Sequence, residues 1–144
     1  ELQQTQRWQA IQALQKLLPA EAVKHWAIYA AQPSLTQERA KQALANLLEA
    51  YKSSPEGADS PHVKEGFSTI LELGNNQAAP ALLRLAAADT LEAMSQIKEA
   101  NIIYYGLQID RKVDRRVRQK ASQAVSRLKS VLSASRSASQ GHEG

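Results

Sequence analysis

The sequence predicts an all-α fold, a compact irregular bundle of six to seven short helices. Strong helix-forming residues dominate the 144-residue chain, and no run of alternating β-branched residues appears. Apolar side chains recur at three- and four-residue steps, as they do on one face of a helix. The predicted loops are short, which is typical of helices packed antiparallel to their neighbours. A short solenoid of helix pairs is the alternative arrangement.

The first two helices are predicted at 3–18 and 20–31, on either side of Pro19. Proline is best tolerated in the first turn of a helix, so Pro19 marks a new start rather than an interior position. Trp8 and Trp26 fall on the apolar faces of these two helices. We expect both tryptophans in the core, with exposure as anchors for a partner as the alternative.

A third helix is predicted at 35–52 and a fourth at 61–73, with a polar loop at 53–60 between them. Ser34 and Gln37 have the spacing of a capping box, in which the side chain of each residue accepts a hydrogen bond from the backbone N–H of the other. This spacing predicts that the third helix begins directly after Ser34. Its apolar residues follow the helical period more regularly than those of any other segment.

Proline and glycine delimit the fourth and fifth helices. Ser60 followed by Pro61 has the pattern of a cap and a first-turn proline. Gly74 is predicted to end the fourth helix, since glycine readily adopts a left-handed conformation. Pro80 lies early in a fifth helix that is predicted to end near Ala88. This helix is apolar nearly all round, and we therefore expect it to lie centrally.

A sixth helix is predicted at 90–105, with Asp89 and Glu92 as a capping arrangement and Gly106 as its end. It closes with a run of bulky apolar residues, Ile102, Ile103, Tyr104 and Tyr105. A continuous apolar run on a helix cannot bury every member against one neighbour. Either the run is enclosed on both sides, or part of it is a contact surface for a partner.

Asp110 is predicted to cap a long seventh helix that reaches about Ala134. Its apolar residues step by three or four and form one stripe: Val113, Val117, Ala121, Ala124, Val125, Leu128, Val131 and Leu132. The basic residues that occupy the rest include Arg111, Lys112, Arg115, Arg116, Arg118, Lys120, Arg127 and Lys129. Residues 1–134 are predicted to form a single helical domain, and 135–144 a disordered polar tail.

The charge is distributed unevenly along the chain, which the net charge of +4 conceals. Residues 1–109 contain 9 basic and 11 acidic side chains, whereas residues 110–144 contain 9 basic and 3 acidic ones. Such asymmetry favours an acidic partner, which can be nucleic acid, an anionic membrane surface or an acidic protein face. The alternative is a solvated basic helix that has no dedicated partner.

No pattern in the sequence predicts catalysis. The absence of cysteine excludes a disulfide framework, a thiolate zinc site and a cysteine nucleophile. His25, His62 and His142 fall in separate elements, and Glu21 and His25 are expected to form a surface pair on one helix face. No glycine-rich phosphate loop follows a strand. We therefore predict a protein that is not an enzyme and that needs neither cofactor nor metal.

The basic seventh helix is the predicted contact surface. A membrane partner is less favoured, because the apolar side of this helix consists largely of alanine and valine, and no apolar run approaches the ~20 residues of a membrane span. Base-specific readout is not favoured either, because there is little glutamine or asparagine beside the arginines. Aromatic residues that could stack on the bases of single strands are also absent from the helix. We predict a protein partner with an acidic or apolar groove, and keep nonspecific nucleic-acid binding as the alternative.

Two segments resemble a known helical family. A helix ends in ALANLLEAY at 43–51, and after a polar loop the segment SPHVKEGF at 60–67 continues into an apolar stretch through Leu71. With the break at Asn75 and Asn76, residues 20–106 resemble the C-terminal helical domain of the COPII outer-coat scaffold protein, a domain that the steroid receptor RNA activator protein shares. The resemblance implies a protein-interaction module within a larger assembly.

Overall fold

A computed structural model describes the backbone of residues 2–143 and the side chains of residues 3–134. The helices are α1 (Leu2–Leu17), α2 (Pro19–Ala30), α3 (Gln37–Ser53), α4 (Pro61–Asn75), α5 (Ala81–Ala93), α6 (Ile97–Ile109) and α7 (Arg115–Glu143). A 3₁₀ turn, Gly57–Asp59, precedes α4. No strand occurs in the described backbone, so the predicted all-α bundle is confirmed. The predicted polar tail, 135–144, lies outside the residues with described side chains.

The helices pack mainly against helices one or two places away in the chain. α2 contacts both α3 and α4, α5 contacts α3, α4 and α6, and α7 packs on α6 with a smaller contact to α5. α1 packs chiefly on α2, so α1 and α7 are the two end helices of this series of helix–helix contacts. Near-neighbour packing of this kind is also what the alternative arrangement, a short stack of helix pairs, requires.

An aromatic cluster joins α1, α2 and α3. The Trp26 side chain is fully buried, and its ring centroid lies 4.7 Å from that of the half-buried Trp8 in an edge-on arrangement. Trp26 Nε1 donates to Gln15 Oε1 at 2.9 Å, so its one polar atom has a partner. The Arg39 guanidinium lies 4.0 Å from the centroid of the Trp8 ring. Both tryptophans therefore contribute to the core, as the sequence predicts.

The start of α3 differs from the prediction. Thr36 is the N-cap residue, and its side-chain oxygen accepts a hydrogen bond from the backbone N–H of Arg39 at 3.2 Å. The capping box predicted at Ser34 and Gln37 is wrong, because Ser34 lies in the turn before α3, where the Leu35 N–H bonds to the carbonyl oxygen of Gln32 at 3.2 Å. The helix starts two residues later than predicted.

Gly74 lies inside α4 and does not end it in a left-handed conformation. Among the described glycines only Gly57 has a positive φ, of 52°. Gly74 is required for close packing instead, since a Cβ atom at this position would lie 2.6 Å from Cγ1 of Ile103 on α6. A Cβ at Gly66 would similarly lie 2.8 Å from Cγ1 of Val23 on α2. The two glycines allow α4 to approach both neighbours.

The boundary between α5 and α6 also differs from the prediction. α5 continues past Ala88 to Ala93, and the chain reverses at Ser95, whose φ is 64°. The N–H of Gln96 bonds to the carbonyl oxygen of Leu91 at 2.9 Å, which closes the end of α5. Asp89 and Glu92 are therefore interior residues of α5 and not the cap of the next helix.

An aspartate lies at each end of the connection from α6 to α7. α6 continues through Gly106, which was predicted to end it, as far as Ile109. Asp110 is the C-cap residue of α6 rather than the cap of α7. Asp114 precedes α7, and its Oδ1 accepts a hydrogen bond from the Arg116 N–H at 2.8 Å.

Candidate interaction surface

One side of α7 is docked on the bundle. The buried residues of its predicted stripe are at most 7% exposed: Val113, Val117, Ala121, Ala124 and Leu128. Val125 is half-buried, as is Leu132, whereas Val131 is 48% exposed. As far as Leu128 the predicted stripe is therefore buried except for the half-buried Val125, and beyond it Val131 is exposed. Docking on α6 leaves the opposite side of α7 in solvent.

Seven of the eight predicted basic contact residues are exposed, and one of these, Arg127, is paired with a carboxylate. The other six exposed residues are Arg111, Lys112, Arg115, Arg116, Lys120 and Lys129. We call these six residues the basic face. Among the residues with described side chains, no carboxylate lies within 4.0 Å of any cation of the basic face. Their charges are therefore not neutralised by ion pairs in this part of the chain, and the surface is electropositive.

The other two predicted contact residues are Arg118, which is partly buried, and Arg127, which is paired with a carboxylate. Arg118 is only partly exposed, and its Nε is buried without a hydrogen-bond partner in the described residues. Arg127 Nη2 donates to Glu92 Oε1 at 2.6 Å. This hydrogen bond raises the pKa of Arg127 further above its usual value. Arg118 and Arg127 are thus less available to a partner than the basic face.

The apolar run at the middle of α6 is divided between core and surface. Ile103 and Tyr104 are at most 1% exposed, so they are core residues and not the contact residues that the sequence predicted. Ile102 is 53% exposed and Tyr105 is 54% exposed. Together with Ile109, which is 60% exposed, they lie at helical spacing on one side of α6. We call Ile102, Tyr105 and Ile109 the apolar strip.

A polar cluster that the sequence does not predict surrounds the Tyr104 hydroxyl. This hydroxyl donates to Asp89 and lies 2.9 Å from Glu92 Oε1, which also accepts the hydrogen bond from Arg127. Burial and the two carboxylates raise the pKa of Tyr104 well above its usual value. Asp89 and Glu92 are three residues apart and so share a helix face, but the sequence does not show that Tyr104 lies opposite them.

The histidines do not form a catalytic or metal centre in the described residues. Glu21 Oε1 lies 3.5 Å from His62 Nε2, whereas His25, the partner predicted for Glu21, is exposed. The side chain of His142 lies outside the described residues. Among the residues with described side chains, no three metal-ligating groups come together. No described helix has the length and apolar character needed to cross a membrane.

Comparison with known proteins finds no family model, no curated protein and no solved structure that matches this chain.

Proposed function

We propose that the chain is a non-catalytic protein-protein interaction module, or a subunit of a larger assembly, that contacts its partner through α7. The observation that supports this most directly is the basic face. Its six cations have no carboxylate partner among the described residues. Four of them lie on α7, whose other side is docked by buried residues such as Val117 and Leu128. A docked helix presents its charges in a fixed arrangement, which lowers the entropy lost on binding.

The chemistry of the basic face favours a partner with an acidic surface. Complementary charge steers encounter and sets the register of a complex. The apolar strip on α6 supplies exposed apolar area that a partner can bury, and its residue Ile109 lines the same cleft as Lys112 of the basic face. The resemblance of residues 20–106 to the COPII scaffold domain implies the same kind of function, a contact within a larger assembly.

Nonspecific nucleic-acid binding is the second candidate function, and it is favoured by the same exposed cations. Lysine and arginine on one helix face can neutralise phosphates without reading bases. No aromatic residue occurs from Arg111 to Ala134, so this surface has no platform for stacked bases. Binding of this kind would be purely electrostatic and therefore strongly salt-dependent.

The experiment compares two variants with the same change in charge. In the first variant, Arg115, Arg116 and Lys120 of the basic face are replaced by glutamate. In the matched control, the exposed lysines Lys41, Lys52 and Lys64 of α3 and α4 are replaced by glutamate. All six residues are exposed and lack ion pairs in the described structure, so both variants are expected to unfold near the wild-type temperature.

The readout is the set of proteins retained from the native source by each tagged chain, quantified by mass spectrometry. The proposal predicts that a partner bound by the wild type and by the control is lost from the basic-face variant. Retention of every wild-type partner by that variant would contradict it. In parallel, the purified wild type is titrated with duplex DNA and RNA across salt concentrations. Tight binding that weakens steeply with salt would favour the second function, and no binding at low salt would exclude it.

A further inference from the structure

Arg84 is a buried cation with unused hydrogen-bond donors. It lies in the first turn of α5 and is only 5% exposed. Its Nε donates to the carbonyl oxygen of Gly74 at 2.8 Å, near the end of α4. Its Nη1 forms an ion pair with Asp110 Oδ2 at 3.8 Å, a distance that is too long for a hydrogen bond. Within the described residues, neither Nη1 nor Nη2 donates a hydrogen bond, and neither atom is sealed from solvent, so both donors are accessible to a ligand.

The Arg84 side chain lines a cleft of about 610 Å³. This cleft lies where α4 and α6 end and where α5 and α7 begin, between residues such as Asn75, Ile109 and Asp114. Gly106 forms part of the wall, and a Cβ atom there would lie 3.9 Å from Arg84 Nη2. The absence of a side chain at Gly106 therefore leaves space beside the terminal nitrogens of the guanidinium.

The side chains that line the cleft carry equal numbers of positive and negative charges. Arg84 and Lys112 are its cations, and Asp110 and Asp114 are its anions. Each aspartate already has one oxygen bound to a backbone N–H, at 3.0 Å for Asp110 and 2.8 Å for Asp114. Ala81, the first residue of α5, also lines the cleft, and the N-terminal end of a helix favours negative charge.

We infer that this cleft binds a small oxyanion, a carboxylate or phosphate group, through Nη1 and Nη2 of Arg84. Because Nε is bound to Gly74, the remaining donors are the pair at the tip of the guanidinium. Two parallel donors at this spacing fit two oxygens of one carboxylate or phosphate. The cleft shares Lys112 with the basic face, but its donors belong to Arg84, so this inference does not depend on the partner contact proposed for α7.

The experiment uses the full chain, labelled with nitrogen-15, and titrates it separately with acetate and with inorganic phosphate. The backbone amide of Gly106 and the side-chain resonances of Arg84 are followed by NMR. The inference predicts a saturable shift of both groups with at least one of the two anions, and the pair of titrations distinguishes carboxylate from phosphate. The absence of a saturable shift with either anion would overturn it.

Three variants distinguish a binding role of Arg84 from a purely structural one. Arg84→Lys keeps the charge but loses the paired donors, and should weaken binding about tenfold. Gly106→Leu should block the space beside Nη2, whereas Gly106→Ala, the matched control, should bind like the wild type, because its Cβ makes an ordinary contact. Asp110→Asn removes the carboxylate nearest to Nη1, and should strengthen binding.

Gly106→Leu keeps Arg84 and its bond to Gly74, so the inference remains testable if Arg84→Lys does not fold. Equal affinities of the leucine and alanine variants at position 106 would overturn the inference. Weaker binding by a folded Asp110→Asn variant would also overturn it.

Discussion

Arg127 on α7 and Glu92 on α5 lie 2.6 Å apart, and Glu92 is also 2.9 Å from the Tyr104 hydroxyl on α6. A connected set of polar contacts between side chains therefore joins α5, α6 and α7. Leu128, the residue next to Arg127, is only 1% exposed and packs in the core. The apolar and the polar contacts together determine which side of α7 faces the bundle and which side carries the basic face.

The Arg127–Glu92 pair is expected to stabilise the fold only modestly, because the Arg127 side chain is 55% exposed and the pair is screened by water. A double-mutant cycle with Glu92→Gln and Arg127→Ala should give a coupling free energy of about 0.5 kcal/mol. The measurement is urea-induced unfolding of the four proteins. A coupling indistinguishable from zero would show that the pair does not hold α7.

Stability should fall at alkaline pH because of Tyr104. The folded state raises the pKa of Tyr104 above its unfolded value, so the folded chain holds this proton more tightly. The resulting stabilisation is fully present below about pH 10 and is lost progressively as the pH rises above it. The free energy of unfolding of the wild type and of Tyr104→Phe should therefore converge as the pH increases.

Tyr105→Phe is the matched control for this measurement, because Tyr105 is the next residue and is 54% exposed. Urea-induced unfolding at several pH values between about 8 and about 11 provides the comparison. The same alkaline loss in wild type and in Tyr104→Phe would contradict the role assigned to the buried hydroxyl.

Substitution of the two glycines at 74 and 106 by alanine should have opposite effects. In Gly74→Ala the new Cβ would lie 2.6 Å from Cγ1 of Ile103, so α4 and α6 must move apart, at a cost of about 1–3 kcal/mol. In Gly106→Ala the nearest atom is 3.9 Å away, and the better helix propensity of alanine should stabilise α6 by about 0.5–1 kcal/mol. Thermal unfolding of both variants checks the difference, and equal effects would contradict the packing argument.

Leu128→Asp should destabilise the bundle by more than about 3 kcal/mol, because it places an unpaired charge where the side chain is buried. Val131→Asp is the control on the same helix, since Val131 is 48% exposed and its substitution should change stability by less than about 1 kcal/mol. Circular dichroism during urea denaturation measures both. An unaltered stability of Leu128→Asp would mean that α7 does not dock on the bundle.

The helix starts at Pro19 and Pro61 could be predicted because the cause is local: a proline in the first turn fixes its own backbone angle. The boundary at Ser95 could not, since this non-glycine residue adopts a positive φ in the reversal between α5 and α6. The packing role of Gly74 could not be predicted for a related reason. Its function is the approach of α4 to Ile103, a contact between residues far apart in the sequence.

The basic face could be predicted in outline, because the alternation of apolar and basic residues on α7 follows the helical period. The sequence could not show which cations remain free. That depends on tertiary neighbours, such as Glu92 for Arg127. The buried position of Arg84 was equally beyond prediction, since its place beside Gly74 and Gly106 arises only when three helices meet.

Site-specific photo-crosslinking tests the central claim, that α7 contacts a protein partner, most directly. A photoreactive amino acid is introduced at Arg116 on the basic face and, as control, at Lys41 on α3, both of which are exposed. After irradiation in extracts of the native source, the account predicts a protein adduct from position 116 that is absent from position 41. An adduct with nucleic acid at position 116, or a protein adduct from position 41 alone, would contradict it.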